Sequence, residues 1–131
     1  MSNMIISKRN ILLDSNIETV WQLLTDLDHQ QWRSYLERIE KQDDKHFVGY
    51  DHKGNKTEYI ILNKIPNELY EYNMMSHDME GHWIGKLKEV DGKTELTLTQ
   101  ALELKKNKLF IKNTIEKQMN QFLLDLQNAL V

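Results

Sequence analysis

The amino-acid sequence predicts an α+β domain in which seven antiparallel strands curl around a long C-terminal helix. Three observations lead there. A strand-like opening runs directly into a helix-start signal. The stretch from Tyr35 to Leu104 breaks into short segments at regularly spaced turn residues. The chain then closes on one amphipathic helical stripe from Asn107 to Val131.

Taken in order, Met4 to Leu13 is rich in β-branched and apolar residues and reads as the first strand. Ser15 with Glu18 three residues on forms a capping-box pattern, which satisfies orphan amide donors at a helix start. Ile17, Val20, Trp21 and Leu24 then recur at helical spacing and give one buried stripe ending near Asp26, with a second short helical piece expected from Asp28 to Trp32. In the last segment Ile111, Ile115, Met119, Phe122, Leu126 and Leu130 share a face, flanked by Leu123 and Ala129. Lys112, Glu116, Lys117, Asn120, Asp125 and Asn128 occupy the rest. That polar side is mixed in charge, whereas a membrane-surface helix wants a strongly basic one, so this helix is expected to face a core.

Between the helices the breaks fall at Asp43-Asp44, Lys53-Gly54, Pro66-Asn67, Asp78 to Gly81 and Asp91-Gly92. Asp-Gly is the strongest, because a tight hairpin turn requires positive φ and glycine adopts it without steric cost. Folding each hairpin symmetrically about its break sets directly opposed residues on one face. Asp91-Gly92 brings Leu87 to Leu96, Gly85 to Leu98 and Trp83 to Gln100. The break at Asp78 to Gly81 brings Tyr72 to Leu87, Met74 to Gly85 and Ser76 to Trp83. Pro66-Asn67 brings Ile61 to Tyr72 and Tyr59 to Met74. Lys53-Gly54 brings Val48 to Tyr59 and Tyr50 to Thr57, and Asp43-Asp44 brings Ile39 to Val48. One parity thus collects most of the large apolar side chains. The other carries Glu71, Asn73, Lys86, Lys88, Glu95, Thr97 and Thr99, with Ile60, Leu62 and Ile84 as exceptions.

Composition narrows the function classes. With 131 residues, 40% apolar and 28% charged, the chain has the size and balance of a single globular domain spanning residues 1–131. It has no cysteine, which removes disulfide and thiolate chemistry, and its N-terminus lacks the layout of a secretory signal. The expected setting is the cytoplasm, without stable membrane insertion. Net charge is -3 and lysines are dispersed, whereas nucleic-acid binding needs a concentrated basic face. The densest basic stretch, Lys105-Lys106-Asn107-Lys108, reads as solvated surface, so no nucleic-acid partner is expected.

The order strand, two short helices, six strands, long helix carries a resemblance when read with three local patterns. Val20-Trp21-Gln22-Leu23-Leu24-Thr25-Asp26, with Trp32 beyond it, looks like the first-helix signature of the START-like superfamily of helix-grip proteins. These are also called the SRPBCC or polyketide cyclase/dehydrase type. Pro66-Asn67-Glu68-Leu69 is similar to that family's turn before its fifth strand, and Gly92-Lys93-Thr94-Glu95-Leu96-Thr97 to the start of its seventh. The resemblance covers nearly the whole chain. It implies an internal cavity without common catalytic residues, and therefore no cofactor. One departure stands out: Arg33-Ser34 follows Trp32 where relatives often carry Asn-Pro or another proline, so the cavity mouth there is expected to differ.

Candidate site residues follow from the inward face. Gly85 between Trp83 and Leu87 removes a side chain in mid-strand, which suggests a gap. Tyr59, Tyr72, Met74, Trp83, Gln100 and Met119 would surround it, pairing apolar bodies with a few polar handles suited to a mostly apolar ligand. The plainer alternative is that these side chains pack against Met119 and Phe122 as ordinary core. His77 and His82 would face each other across a hairpin with Asp78 and Glu80 between them, but a charged, solvated hairpin tip explains the same residues and no metal is expected. His46 and His52 fall near other turns and read as solvated. Glu37 would face inward opposite Tyr50, where it could serve an acid–base pair or, more simply, sit at the rim. The expected function is binding or transport of a small hydrophobic molecule, lipid-, isoprenoid- or polyketide-like. A cyclase- or hydrolase-like enzyme using cavity tyrosines or Glu37, and a protein-interaction module of the chaperone-activator type, remain alternatives.

Overall fold

The computed structural model describes residues 4–105 and 111–131. Its elements are β1 (Met4–Leu13), α1 (Ile17–Thr25), β2 (Arg38–Lys41), β3 (His46–Tyr50), β4 (Lys56–Ile65), β5 (Leu69–Ser76), β6 (Met79–Val90), β7 (Lys93–Leu104) and α2 (Ile111–Ala129). All pairings are antiparallel, and the seven strands lie in the order β1-β7-β6-β5-β4-β3-β2. The inner face of this open sheet packs on α2 through a core that includes Leu96, Leu98, Met119 and Leu126, with α1 adding Val20, Trp21 and Leu24. Residues 107–110 of the expected helix, and 106–108 of the basic stretch, lie outside the described residues.

Local signals place most boundaries. The N-cap of α1 is Asn16, whose side chain accepts from the Thr19 amide at 2.9 Å, and not Ser15. The Ser15 carbonyl instead accepts from the buried Thr94 hydroxyl, tying the helix start to β7. Where a second short helix was expected over Asp28–Trp32, the chain makes isolated turns, with His29 donating to the Asp26 carbonyl and Arg33 to that of Gln30. The Gln30 side chain donates to two carbonyls at the end of α1, from Leu23 and Asp26, which secures this irregular segment without helix.

The hairpin registers divide by turn type. Leu87 pairs with Leu96, Gly85 with Leu98 and Trp83 with Gln100, as the Asp91-Gly92 turn requires. Both turn residues have positive φ, 51° and 79°. Ile61 meets Tyr72 and Tyr59 meets Met74, with a bulge at Leu62 absorbing the extra residue of the Pro66–Glu68 turn. The β5–β6 hairpin, however, turns at His77-Asp78. Tyr72 therefore meets Trp83 and not Leu87, and Met74 meets Gly81 and not Gly85. The parity survives this slide because the shift is even. It does not survive at β3: Phe47 pairs with Tyr59 and Gly49 with Thr57, so Val48 and Tyr50 turn to the opposite face. A compensating one-residue shift pairs Ile39 with Gly49 and leaves Ile39 against the core.

Candidate functional site

The site is built from apolar side chains first. Phe47 stacks on Tyr59 at 4.7 Å between ring centroids, and Tyr72 stacks on Trp83 at 4.8 Å. Tyr59 meets Tyr72 edge-on at 5.3 Å, joining the two stacks across β3 to β6, and Phe122 from α2 closes against Trp83 at 6.2 Å. Such offset and edge contacts hold rings in fixed orientations and add to the area they bury. Met74, Leu102 and Met119 complete the apolar part of a cavity of about 250 Å³ between the sheet and α2. Thr57, Ser76, Gln100 and Gln118 supply polar wall, and the wall runs out to exposed Tyr35 and Asn55 at the mouth.

Tyr59, Tyr72, Met74, Trp83, Gln100 and Met119 are thus all on this wall. Gly85 is not. A Cβ there would stand 2.9 Å from Cη2 of Trp83, so the indole already fills the space the missing side chain leaves. Glu37 is not on the wall either. It is exposed and lies 2.5 Å from Nδ1 of His52, while the other ring nitrogen of His52 reaches the Ser34 carbonyl at 2.8 Å. His82 does not face His77; it pairs with Asn73 and bonds Glu71 on the outer face. Among the described residues no group of three or more His, Asp or Glu could hold a metal ion.

Three wall residues, Gly49, Asp51 and Asp125, were not singled out from sequence, nor was Phe47 behind Tyr59; Arg33, marked there only as a departure after Trp32, is on the wall. Gly49 leaves room for the Tyr59 ring, whose Cε2 would be 3.1 Å from an added Cβ. Asp125 lies on the supposedly polar side of α2, yet it is buried and faces the mouth. Its Oδ2 accepts from the Ser34 amide and hydroxyl and its Oδ1 from Gln121. Burial pushes this carboxyl up, but those hydrogen bonds outweigh it and hold the group below its ordinary value of 3.8. Burial drives the phenol of Tyr72 well above its ordinary value, so this ring stays neutral. Arg33 lies over the Phe122 ring at 5.3 Å from its centroid.

Comparison with solved structures fixes the architecture. A START superfamily protein from Mycobacterium smegmatis superposes with a TM-score of 0.83, covering 95% of this chain and 96% of that one at 8% identity. The chain has the START-like helix-grip fold. An uncharacterized protein from Bacillus thuringiensis gives a TM-score of 0.81 at 13% identity, covering 96% of this chain and 98% of that one. The Zhui aromatase/cyclase from a Streptomyces strain gives 0.82 at 11% identity, covering 97% of this chain and 93% of that one. No protein-family model matches the sequence, and no curated protein matches it. At these identities the likeness is one of helix-grip architecture, and the START-like cavity of this chain is walled by its own residues. No helix among the described residues is long and apolar enough to cross a membrane.

Proposed function

We propose that this protein binds a small, mostly apolar molecule in the cavity between the sheet and α2, within one domain working in the cytoplasm. The observation that carries this reading is the aromatic wall. Tyr59, Tyr72, Trp83 and Phe122 contact one another in one chain of stacked and edge-on rings, and that chain lines open space between the sheet and α2. Concave, largely aromatic sites with a few polar groups are where proteins hold small ligands. At about 250 Å³ the cavity suits a ligand of one or two rings better than a long acyl chain. Likeness of fold to an aromatase/cyclase supports a polyketide-like, ring-bearing ligand. Binding is favoured over catalysis because the two wall carboxylates, Asp51 and Asp125, each already accept three hydrogen bonds from the protein. Glu37 lies outside the cavity.

Two measurements test it. Native mass spectrometry of protein purified from its own host should show a retained small molecule. In parallel, N-phenyl-naphthylamine fluorescence should rise on titration into wild type and fail to rise with Thr57→Trp or Ser76→Trp, which fill the wall between β4 and β5. Equal probe binding by wild type and both folded variants would place the probe elsewhere and sink the proposal.

A further inference from the structure

The polar groups on the cavity wall are not balanced, and the imbalance points to the chemistry of the ligand. Arg33 is the only cation on the wall among the described residues, and Asp51 and Asp125 are the acids. Both acids are already engaged. Asp51 accepts from the amides of Lys53 and Asn55 and from the Asn55 side chain, and Asp125 from Ser34 and Gln121. Neither takes a hydrogen bond from Arg33: its charge helps hold the Asp125 carboxyl down, but its guanidinium rests on the Phe122 ring with no hydrogen-bond acceptor among the described residues. The hydroxyl of Tyr72 and the amide of Gln100 are likewise without a partner there, and both face the same space. The wall therefore sets spare donors beside its aromatic faces, Arg33 over Phe122 and Tyr72 and Gln100 next to Trp83.

We propose that the ligand is an aromatic acid, its ring system against the aromatic wall of Tyr59, Trp83 and Phe122 and its carboxylate or equivalent anionic oxygen on Arg33 at the mouth. This rests on the cavity-binding reading above and specifies the ligand class. A guanidinium presents a planar fork of donors that matches a carboxylate in two bonds, and stacking on Phe122 holds that fork in place. Formal charge on the wall sums to minus one, so long-range attraction does not select the anion. Selection is short-range: the carboxylates of the protein are spoken for, and the ligand supplies the missing acceptor.

The test uses two isosteres, the naphthoate anion and neutral naphthamide, titrated by calorimetry into wild type, Arg33→Gln and Arg33→Lys. Wild type should bind naphthoate about tenfold more tightly than naphthamide, the size of one charge-assisted hydrogen-bonded pair. Arg33→Gln should abolish that preference while changing naphthamide affinity by less than about twofold, and Arg33→Lys should retain part of it. Among the described residues the Arg33 side chain makes no hydrogen bond, so its replacement removes only the contact with Phe122, and a thermal melt beside each titration checks that the variants remain folded. Equal affinity of wild type for the two ligands overturns the acid assignment while leaving cavity binding in place. So does an Arg33→Gln variant that weakens both alike. Binding of neither ligand to wild type removes the cavity reading, and this one with it.

Discussion

Ser34 donates both its backbone amide, at 2.8 Å, and its hydroxyl, at 2.7 Å, to one carboxylate oxygen of Asp125. That pair ties the irregular segment after α1 to the C-terminal part of α2 at the cavity mouth.

Removing it should matter. Asp125→Ala is expected to cost about 1–3 kcal/mol, since it removes a buried carboxylate that accepts three hydrogen bonds, from the Ser34 amide and hydroxyl and from Gln121. The carboxyl is held below 3.8 in the folded state, so its contribution is fully present above that value and is lost as pH falls through the lower folded one. Urea melts of wild type and Asp125→Ala at neutral pH and near pH 3 check this. A stability gap that does not shrink in acid would refute the assignment.

His52 should titrate above its ordinary value of 6.5. Its Nε2 meets the Ser34 carbonyl and its Nδ1 the Glu37 carboxylate, with Asp51 also nearby. Both partners only accept, so both ring nitrogens must donate and the ring is held as imidazolium. The bond to Ser34 and the one to Glu37 together raise the group. Its stabilising effect is therefore present below 6.5 and disappears as pH rises through the elevated folded value. An NMR titration of the ring protons should give a midpoint above 6.5, falling toward it in Glu37→Gln; a midpoint at or below 6.5 in wild type contradicts the geometry.

Ile115→Asp should destabilise severely, by several kcal/mol, because Ile115 is 1% exposed and the new carboxylate would have no partner. Phe122→Asp should cost less, since Phe122 is only partly buried and borders the cavity, but should eliminate probe binding. Thermal melts of the two variants, with the probe titration beside them, would expose an inverted order.

Gly85→Leu should unfold or strain the sheet and not merely block a site. Even a Cβ would meet Trp83 at 2.9 Å and Leu98 at 3.3 Å, and overpacking of this kind costs about 1–3 kcal/mol or more. In a double-mutant cycle the penalty of Gly85→Ala should shrink when Trp83 is replaced by Phe. Wild-type stability for Gly85→Leu would mean the indole does not sit where described.

These expectations track what the sequence made legible. The Asp91-Gly92 hairpin was readable because a turn with two positive φ angles fixes both its own length and the register beyond it. The β3–β4 turn was not. Asp51 caps its own loop through three hydrogen bonds, making five residues, 51–55, the connection and reversing the parity of Phe47 and Val48. The β5–β6 turn carries no glycine, so Gly81 drew the expected break two residues too far along. Asp125 was hidden because a lone carboxylate on a helix looks solvent-facing until the distant Ser34 is placed against it. Arg33 was visible only as a departure after Trp32, with nothing local to reveal that it would overhang Phe122.

The position of β1 governs the order in which the molecule can assemble. β1 pairs along its whole length with β7, Met4 opposite Glu103 and Leu13 opposite Thr94. Every other strand contact joins sequence neighbours and can form as a local hairpin within microseconds. Of the seven strands described, the first to be made is thus the last that can be paired, and it waits unprotected until β7 has followed. Closing so long a loop is the slow step that non-local topologies impose. Lys8 and Asn10, between exposed Ile6 and Leu12 on its outer side, interrupt the apolar run that this strand would otherwise offer to another edge while it waits.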